Sequence, residues 1–170
     1  MDRDRSQVPP GARDGGAPID ALIRPARLDD ALALRRHCYP EQAYDDVRDY
    51  LVWCLRQSDK GWIVRLVAEV DGQAVGNAQL TQWKTAGEIG SLVVGPTFRR
   101  QGLARRLLEA LIAEGRQRGL ATLEISVEEH QPAILSFYQQ LGFRPIEDTK
   151  KGDGCLATSQ SDITLCLPLL

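Results

Sequence analysis

The stretch VVGPTFRRQGLARRLLEAL (93–111) decides the fold of this chain. It continues a strand-like run, EIGSLVV (88–94), through a glycine-bearing turn into a leucine-rich segment. Leu103, Leu107 and Leu111 recur at helical spacing, so the pattern predicts a helix over 103–118. A strand that leads directly into a helix places the free N–H groups of the first helical turn beside the strand's end.

Gly102 lies where the predicted helix begins, and Arg99, Arg100 and Arg105 surround it. Glycine lets an anion approach the backbone, and the helix start carries partial positive charge. Arginine side chains would add charge-assisted hydrogen bonds, so the turn is a candidate phosphate site. The alternative is a simple backbone bend with solvated arginines. The glycine spacing fits neither a P-loop nor a dinucleotide-binding fingerprint.

The remaining pattern predicts a mixed α/β chain around one sheet. The predicted strands are 21–24, 62–70, 74–83, 88–94, 123–127, 143–147 and 162–169, and the predicted helices are 28–38, 42–57, 103–118 and 132–141. Residues 1–18 are polar and rich in breakers, so we expect a disordered tail there and a single domain over 19–170.

Composition excludes several classes of function. The 170 residues carry a net charge of −2, which gives no overall attraction to nucleic acid or to anionic membranes. No apolar run reaches the length of a membrane span, and the N-terminus lacks a signal peptide's apolar core. The four cysteines form no CxxC pair and the two histidines complete no zinc spacing, so we expect no metal and a reducing, cytoplasmic setting.

Two motifs resemble one family. RRQGLA (99–104) is similar to the acyl-CoA-binding motif [QR]-x-x-G-x-[GA] of the GNAT superfamily of N-acetyltransferases. Downstream, LEISVEEHQPAILSFYQQLGF (123–143) resembles that family's next signature, and Tyr138, Gly142 and Phe143 match its Tyr-x-x-x-Gly-Phe end. The resemblance covers about residues 21–169 in the right element order.

The resemblance implies the acyl-CoA N-acyltransferase fold, an α/β (α+β) arrangement in which four helices flank a mixed sheet of six to seven strands. It implies direct transfer of an acetyl group from acetyl-CoA to a primary amine. By family analogy, the pantetheine arm would bind the backbone of Leu92, Val93 and Val94. The pyrophosphate would bind the backbone amides of Arg100, Gln101, Gly102, Leu103, Ala104 and Arg105, beside the Arg99 side chain. Gln131 stands where many members have a cofactor-binding asparagine.

Tyr138 matches the family residue that commonly protonates the leaving thiolate. Its alternative role is core packing, because it follows Ile134 by one helical turn. The oxyanion that develops during acyl transfer needs a backbone N–H donor, and Val93 or Val94 is the candidate.

An amine of lysine type is mostly protonated at neutral pH, so the reaction needs a base. Glu88 is the first candidate, and strict alternation would place it on the face of Gly90, Leu92 and Val94. A solvated strand-end carboxylate is the alternative. Glu124, Glu128 and His130 are rival bases.

The acceptor is a small-molecule or peptide amine of unspecified identity. The family forms its acceptor groove partly from the first two helices, where Tyr39, Glu41, Tyr44, Asp45 and Asp46 cluster. Their acidity would suit a cationic amine, although acidic residues also favour any helix start. A non-catalytic acyl-CoA-binding regulatory module is the alternative function.

A nucleic-acid-binding domain that uses the arginines of 99–118 is disfavoured, because Glu109 and Glu114 lie among them. We expect a monomer or a homodimer.

Overall fold

The computed structural model describes residues 19–128, 131–146 and 162–170, which form seven strands and four α-helices. The strands are β1 (Leu22–Pro25), β2 (Ile63–Val70), β3 (Gln73–Trp83), β4 (Ala86–Val94), β5 (Thr122–Glu128), β6 (Arg144–Pro145) and β7 (Asp162–Pro168). The helices are α1 (Ala31–His37), α2 (Tyr44–Asp59), α3 (Leu103–Gln117) and α4 (Pro132–Gln140). The predicted tail, 1–18, and residues 129–130 and 147–161, which include the end of the predicted strand 143–147, lie outside the described residues.

The seven strands form one sheet in the order β1-β2-β3-β4-β5-β7-β6. All neighbouring strands are antiparallel except β4 and β5, which run parallel because α3 connects them. The predicted fold class, a mixed sheet of six to seven strands with four helices, is confirmed.

Helices cover both faces of the sheet. The leucine stripe of α3 is buried, with Leu107 and Leu111 fully inaccessible, and it packs in one core with Tyr138 of α4. On the opposite face, Leu34 of α1 and Leu51 of α2 form a second cluster. Helices α2 and α3 are amphipathic: each packs its apolar side against the sheet and places its polar side toward solvent.

Strand β4 is bent by a bulge at Ser91. The β3–β4 register shifts between Asn77 and Gln79, and Ser91 takes a left-handed φ of 51°. The bulge reverses the alternation of side chains beyond it. Val94 pairs with Gly76 on the α3 face, whereas Glu88 pairs with Thr81 on the α1–α2 face. The expectation that Glu88 and Val94 share a face is therefore wrong, because the extra residue interrupts the period of two.

Buried ion pairs tie the first strand to the helix that follows it. Arg24 of β1 donates to both carboxylate oxygens of Asp30, at 2.9 and 2.7 Å, and to Glu69 of β2 at 2.6 Å. Asp30 also accepts the backbone N–H of Arg27. In the described ranges, no helix combines the length and apolar character that crossing a membrane requires.

Candidate active site

The RRQGLA turn places Gly102 at the mouth of α3. Gly102 has a φ of +80°, and an added Cβ would meet no atom within 4 Å. The glycine is thus required by its left-handed conformation, which L residues adopt only with strain. Its carbonyl accepts the N–H of Arg106, and no side chain caps the helix. Within the described part of the chain, the first-turn amides of α3 therefore remain available to an anion.

The three arginines of the turn have different environments. Arg99 donates from Nε to the carbonyl of Val94 at 3.0 Å, which fixes the turn to the end of β4. Arg105 lies over the ring of Phe137 in α4, with its guanidinium carbon 5.9 Å from the ring centroid. Arg100 is exposed and has a left-handed φ of 62°. One predicted phosphate-binding cation, Arg99, thus also braces the backbone.

Strands β4 and β5 pair only near their beginnings. Their shared register runs from Ala86–Thr122 to Glu88–Glu124 and does not continue, although both strands do. Beyond Glu88, β4 keeps its pairing with β3 but has no described pairing with β5, and we call this unpaired stretch the β4–β5 gap. The gap runs beside residues 92–94, the predicted pantetheine-binding backbone, and reaches the turn before α3. Unpaired strand edges offer N–H and C=O groups to an extended ligand.

Tyr138 lies in the core between α4 and the sheet. It is 5% exposed and makes edge-to-face contacts with Phe137 and Phe143. Burial alone raises the pKa of Tyr138 to about 12. Since the phenol stays protonated at neutral pH, it can act as an acid as well as pack in the core.

Glu88 lies on the other face of the sheet. It is half-buried and lies between Thr81 of β3 and Glu124 of β5 in the strand register. Glu124 is thus a direct neighbour of Glu88, so the two candidate bases occupy one polar row. The side chain of Glu128, and all of His130, lie outside the described residues.

Comparison with known proteins identifies the family. Residues 28–143 match the model of the acetyltransferase (GNAT) family. The chain belongs to the GNAT acetyltransferase family. The ribosomal protein bS18-alanine N-acetyltransferase of Escherichia coli K12 is 36% identical to it over 94 residues, 48% of this chain and 64% of that protein. The chain thus matches less than two thirds of that relative's length.

Solved GNAT structures share the fold. An N-acetyltransferase from Thermoplasma acidophilum, in complex with coenzyme A, aligns with a TM-score of 0.71 at 17% identity, over 88% of this chain and 99% of that one. The Salmonella typhimurium protein yncA, solved with acetyl-CoA, aligns at 0.68 and 22% identity, over 88% and 94%. The predictions of the family, and of acetyl-CoA-dependent acetyl transfer as the family's chemistry, are confirmed.

Gln131 begins the GNAT helix that carries Tyr138. Its carbonyl accepts the N–H groups of Ile134 and Leu135, and it directly precedes Pro132 at the first helical position. The residue that stands where other members have asparagine is thus placed at the start of α4. Its predicted cofactor contact stays a prediction.

The acidic cluster near α2 does not line a described cleft. Asp45 is 75% exposed and pairs with Arg48 at 3.3 Å on the surface of α2. Glu41, Tyr44 and Asp46 are also exposed. Tyr39 is the exception, because its hydroxyl donates to Oδ1 of Asn77 at 3.0 Å beneath α1. The solvated-helix alternative therefore describes the carboxylates, and only Tyr39 reaches the interior.

A buried polar cluster that the sequence did not predict lies beside Tyr39. Arg65 of β2 is 4% exposed, and Asn77 and Gln79 of β3 are equally buried. Arg65 Nη1 donates to Gln79 Oε1 at 2.9 Å, and Nη2 donates to Asn77 Oδ1. The available signal was an arginine within the apolar run WIVRLVAEV (62–70).

A cleft of about 340 Å³ opens between this cluster and the first two helices. Arg65, Tyr39, Gln42, Tyr50 and Ser91 contribute to its lining. Because Ser91 is the bulge residue of β4, the cleft adjoins the strand segment that faces the β4–β5 gap. In the described ranges, no group of three or more His, Cys, Asp and Glu side chains could hold a metal ion.

Proposed function

We propose that this protein is an N-acetyltransferase that transfers the acetyl group of acetyl-CoA directly to a primary amine. One observation carries the proposal: the stretch of β4 that is unpaired with β5 leads through the 95–102 turn to the uncapped start of α3. The unpaired edge of β4 would bind the thin, extended pantetheine arm of acetyl-CoA. The free amides at the start of α3 would bind the pyrophosphate to which that arm is joined. The bound thioester would supply the activated acetyl group.

The backbone performs most of the binding in this proposal. Residues 92–94 would pair with the pantetheine arm across the gap, and the amides of residues 100–105 would bind the pyrophosphate. Arg99 holds the two segments together through the Val94 carbonyl, and Gln131 would bind from the start of α4. The N–H of Val93 or Val94 would stabilise negative charge that develops on the carbonyl oxygen.

The candidate acid and base lie on opposite faces of the sheet. Glu88 faces the α1–α2 side of the sheet, the same side as the 340 Å³ cleft that would be the acceptor cleft, and it would take a proton from the attacking amine. Tyr138 belongs to the α3–α4 core, where it would give a proton to the departing sulfur. The gap in the sheet separates them, so attack and departure would occur from two sides without a covalent enzyme intermediate.

Partners follow from the same features. The acceptor class is a small-molecule or peptide amine, and the bS18-alanine relative supports a terminal amine as one member. Nucleic acid is disfavoured because Arg106 and Arg118 of the basic helix are committed to backbone carbonyls of Ala21 and Gly61. The cytoplasmic location, the absence of a membrane partner and a monomeric or homodimeric state also belong to the proposal.

The experiment is a thiol-release assay with acetyl-CoA across amine classes: amino acids, polyamines, aminoglycosides, lysine peptides and peptide N-termini. We expect amine-dependent release of coenzyme A with at least one class. Tight cofactor binding without acetylation of any amine would contradict catalysis and favour the acyl-CoA-binding module.

A further inference from the structure

We infer that the acceptor cleft recognises a carboxylate through Arg65, so that the substrate is a small amine that carries its own carboxylate, such as an amino acid. The inference rests on the proposed function and specifies the substrate class of the same site.

Among the described residues, Arg65 is a buried cation without an anionic partner. The described residues place no Asp or Glu oxygen within 4 Å of its guanidinium, which contacts only neutral groups. These are the amide oxygens of Asn77 and Gln79, the Tyr39 hydroxyl at 3.4 Å and, more weakly, the Cys54 sulfur at 3.8 Å. A buried charge is costly unless an opposite charge compensates it, so this position favours an incoming anion.

One guanidinium donor is also unused. Among the described residues, Arg65 Nε has no hydrogen-bond partner, although the side chain is only 4% exposed. Buried polar atoms of this kind usually find a partner, and guanidinium groups bind carboxylates through paired N–H donors. Arg65 itself lines the 340 Å³ cleft, so a ligand in the cleft can reach the side chain.

The other cleft residues select the type of anion. Tyr39, Gln42, Tyr50 and Ser91 are uncharged, and Arg65 is the one charged side chain that the described residues contribute to the lining. The ring of Tyr50 lies 5.2 Å from the guanidinium carbon and shields one of its faces. A single cation balances a singly charged carboxylate, whereas a phosphate dianion would need further positive charge.

The same charge disfavours cationic acceptors. A polyamine or aminoglycoside would bring ammonium groups against Arg65, and like charges repel. For an amino acid, the nearby guanidinium would also favour the neutral amine, which is the nucleophilic form. The size of the cleft lies at the small end of ligand sites, in agreement with a compact acceptor.

The test uses the full-length protein with matched acceptors: each amino acid, its primary carboxamide, and the diamine putrescine. We expect kcat/KM for the best amino acid to exceed that of its carboxamide by about 10- to 100-fold. The reason is that the carboxamide replaces a charge-assisted hydrogen bond to Arg65 with a neutral one. In Arg65→Gln this ratio should fall toward one, whereas Arg48→Gln, on the exposed face of α2, should keep it. If the role of Arg65 were purely structural, Arg65→Gln would lower kcat/KM for both acceptors together and preserve the ratio.

A second measurement is independent of turnover and of the variant's folding. The NMR signal of the Arg65 Nε–H group should shift and saturate as sodium acetate is added, but not with equal sodium chloride. Equal or better use of carboxamides or putrescine would overturn the inference and leave the acetyltransferase intact. Absence of all thiol release would overturn the proposed function, and the acetate titration would then decide the carboxylate site alone.

Discussion

At the scale of single residues, Tyr138 combines two roles that its sequence pattern presents as alternatives. It packs in the core between Phe137 and Phe143, and the same burial keeps its phenol protonated. Core position and acid function are thus compatible, because desolvation disfavours the phenolate. A buried tyrosine whose phenol stays protonated can serve as a proton donor.

Replacing Tyr138 with phenylalanine should separate the two roles. The ring stays in place, so we expect unchanged thermal unfolding and a Kd for acetyl-CoA within about twofold of wild type. Because the proton donor is lost, kcat should fall by about 100-fold. Single-turnover kinetics would measure the loss of rate, and calorimetry would measure thermal unfolding and the Kd for acetyl-CoA. A wild-type kcat would rule out Tyr138 as the acid.

The pH dependence of Tyr138 follows from its raised pKa. An unfolded tyrosine ionises near pH 10, whereas the buried phenol has a pKa of about 12. Its contribution to stability is therefore complete below about pH 10 and is lost as the pH rises toward 12. The phenolate absorbance difference between wild type and Tyr138→Phe should lack a transition near pH 10. A transition there would contradict the buried placement.

The sequence predicted a residue's position where a local motif determines it, and failed where pairing across the sheet determines it. Gly102 and Tyr138 lie in contiguous motifs, so their placement followed from spacing. The isolation of Arg65 depends on which strands and helices surround it, and a sequence does not reveal a missing carboxylate. Likewise, strict alternation predicted the wrong face for Glu88 relative to Val94, because nothing local signals the bulge at Ser91.

At the scale of elements, the glycine before α3 sets the backbone geometry of the predicted anion site. Gly102 and Gly119 flank this helix, and both have a left-handed φ, +80° and +69°, with open space where a Cβ would lie. Replacing either glycine with alanine should therefore introduce a similar backbone strain, and the two sites differ in their position in the fold. Only Gly102 borders the β4–β5 gap.

This symmetry provides a matched pair of variants. Gly102→Ala and Gly119→Ala should each reduce the free energy of unfolding by about 1 kcal/mol. Only Gly102→Ala should weaken acetyl-CoA binding, by about tenfold, because it displaces the first amides of α3. Urea unfolding and calorimetry would measure the two effects. Equal Kd values in the two variants would exclude the turn as the pyrophosphate site.

The element order was predictable to within a few residues, because each helix and strand has its own periodicity. The end of the β4–β5 pairing at Glu88 was not predictable, since it depends on the path that β4 takes at the bulge. Helix α2 illustrates a further limit: its acidic start was predictable, but only the structure shows that Asp45 pairs with Arg48 away from the cleft.

At the scale of the whole molecule, Arg24 links the first strand to β2 and to the start of α1, a helix that lines the 340 Å³ cleft. Its two carboxylate partners belong to different elements, and both Arg24 and Asp30 are nearly inaccessible. Removing the cation would leave the buried Asp30 carboxylate without its counter-charge.

Arg24→Met should therefore lower the free energy of unfolding by about 3 kcal/mol. Arg48→Met, which breaks exposed pairs on α2, should leave the free energy of unfolding nearly unchanged. Urea denaturation of the two variants gives the comparison. Similar losses would show that the buried pairs around Arg24 do not contribute specifically to stability.

The central claim concerns the cofactor, and titration of the wild-type protein with acetyl-CoA in a calorimeter tests it most directly. We predict saturable binding to one site per chain, because the unpaired stretch of β4 leads through the 95–102 turn directly to the amides at the start of α3. Absence of heat and of saturation at millimolar acetyl-CoA would contradict the claim.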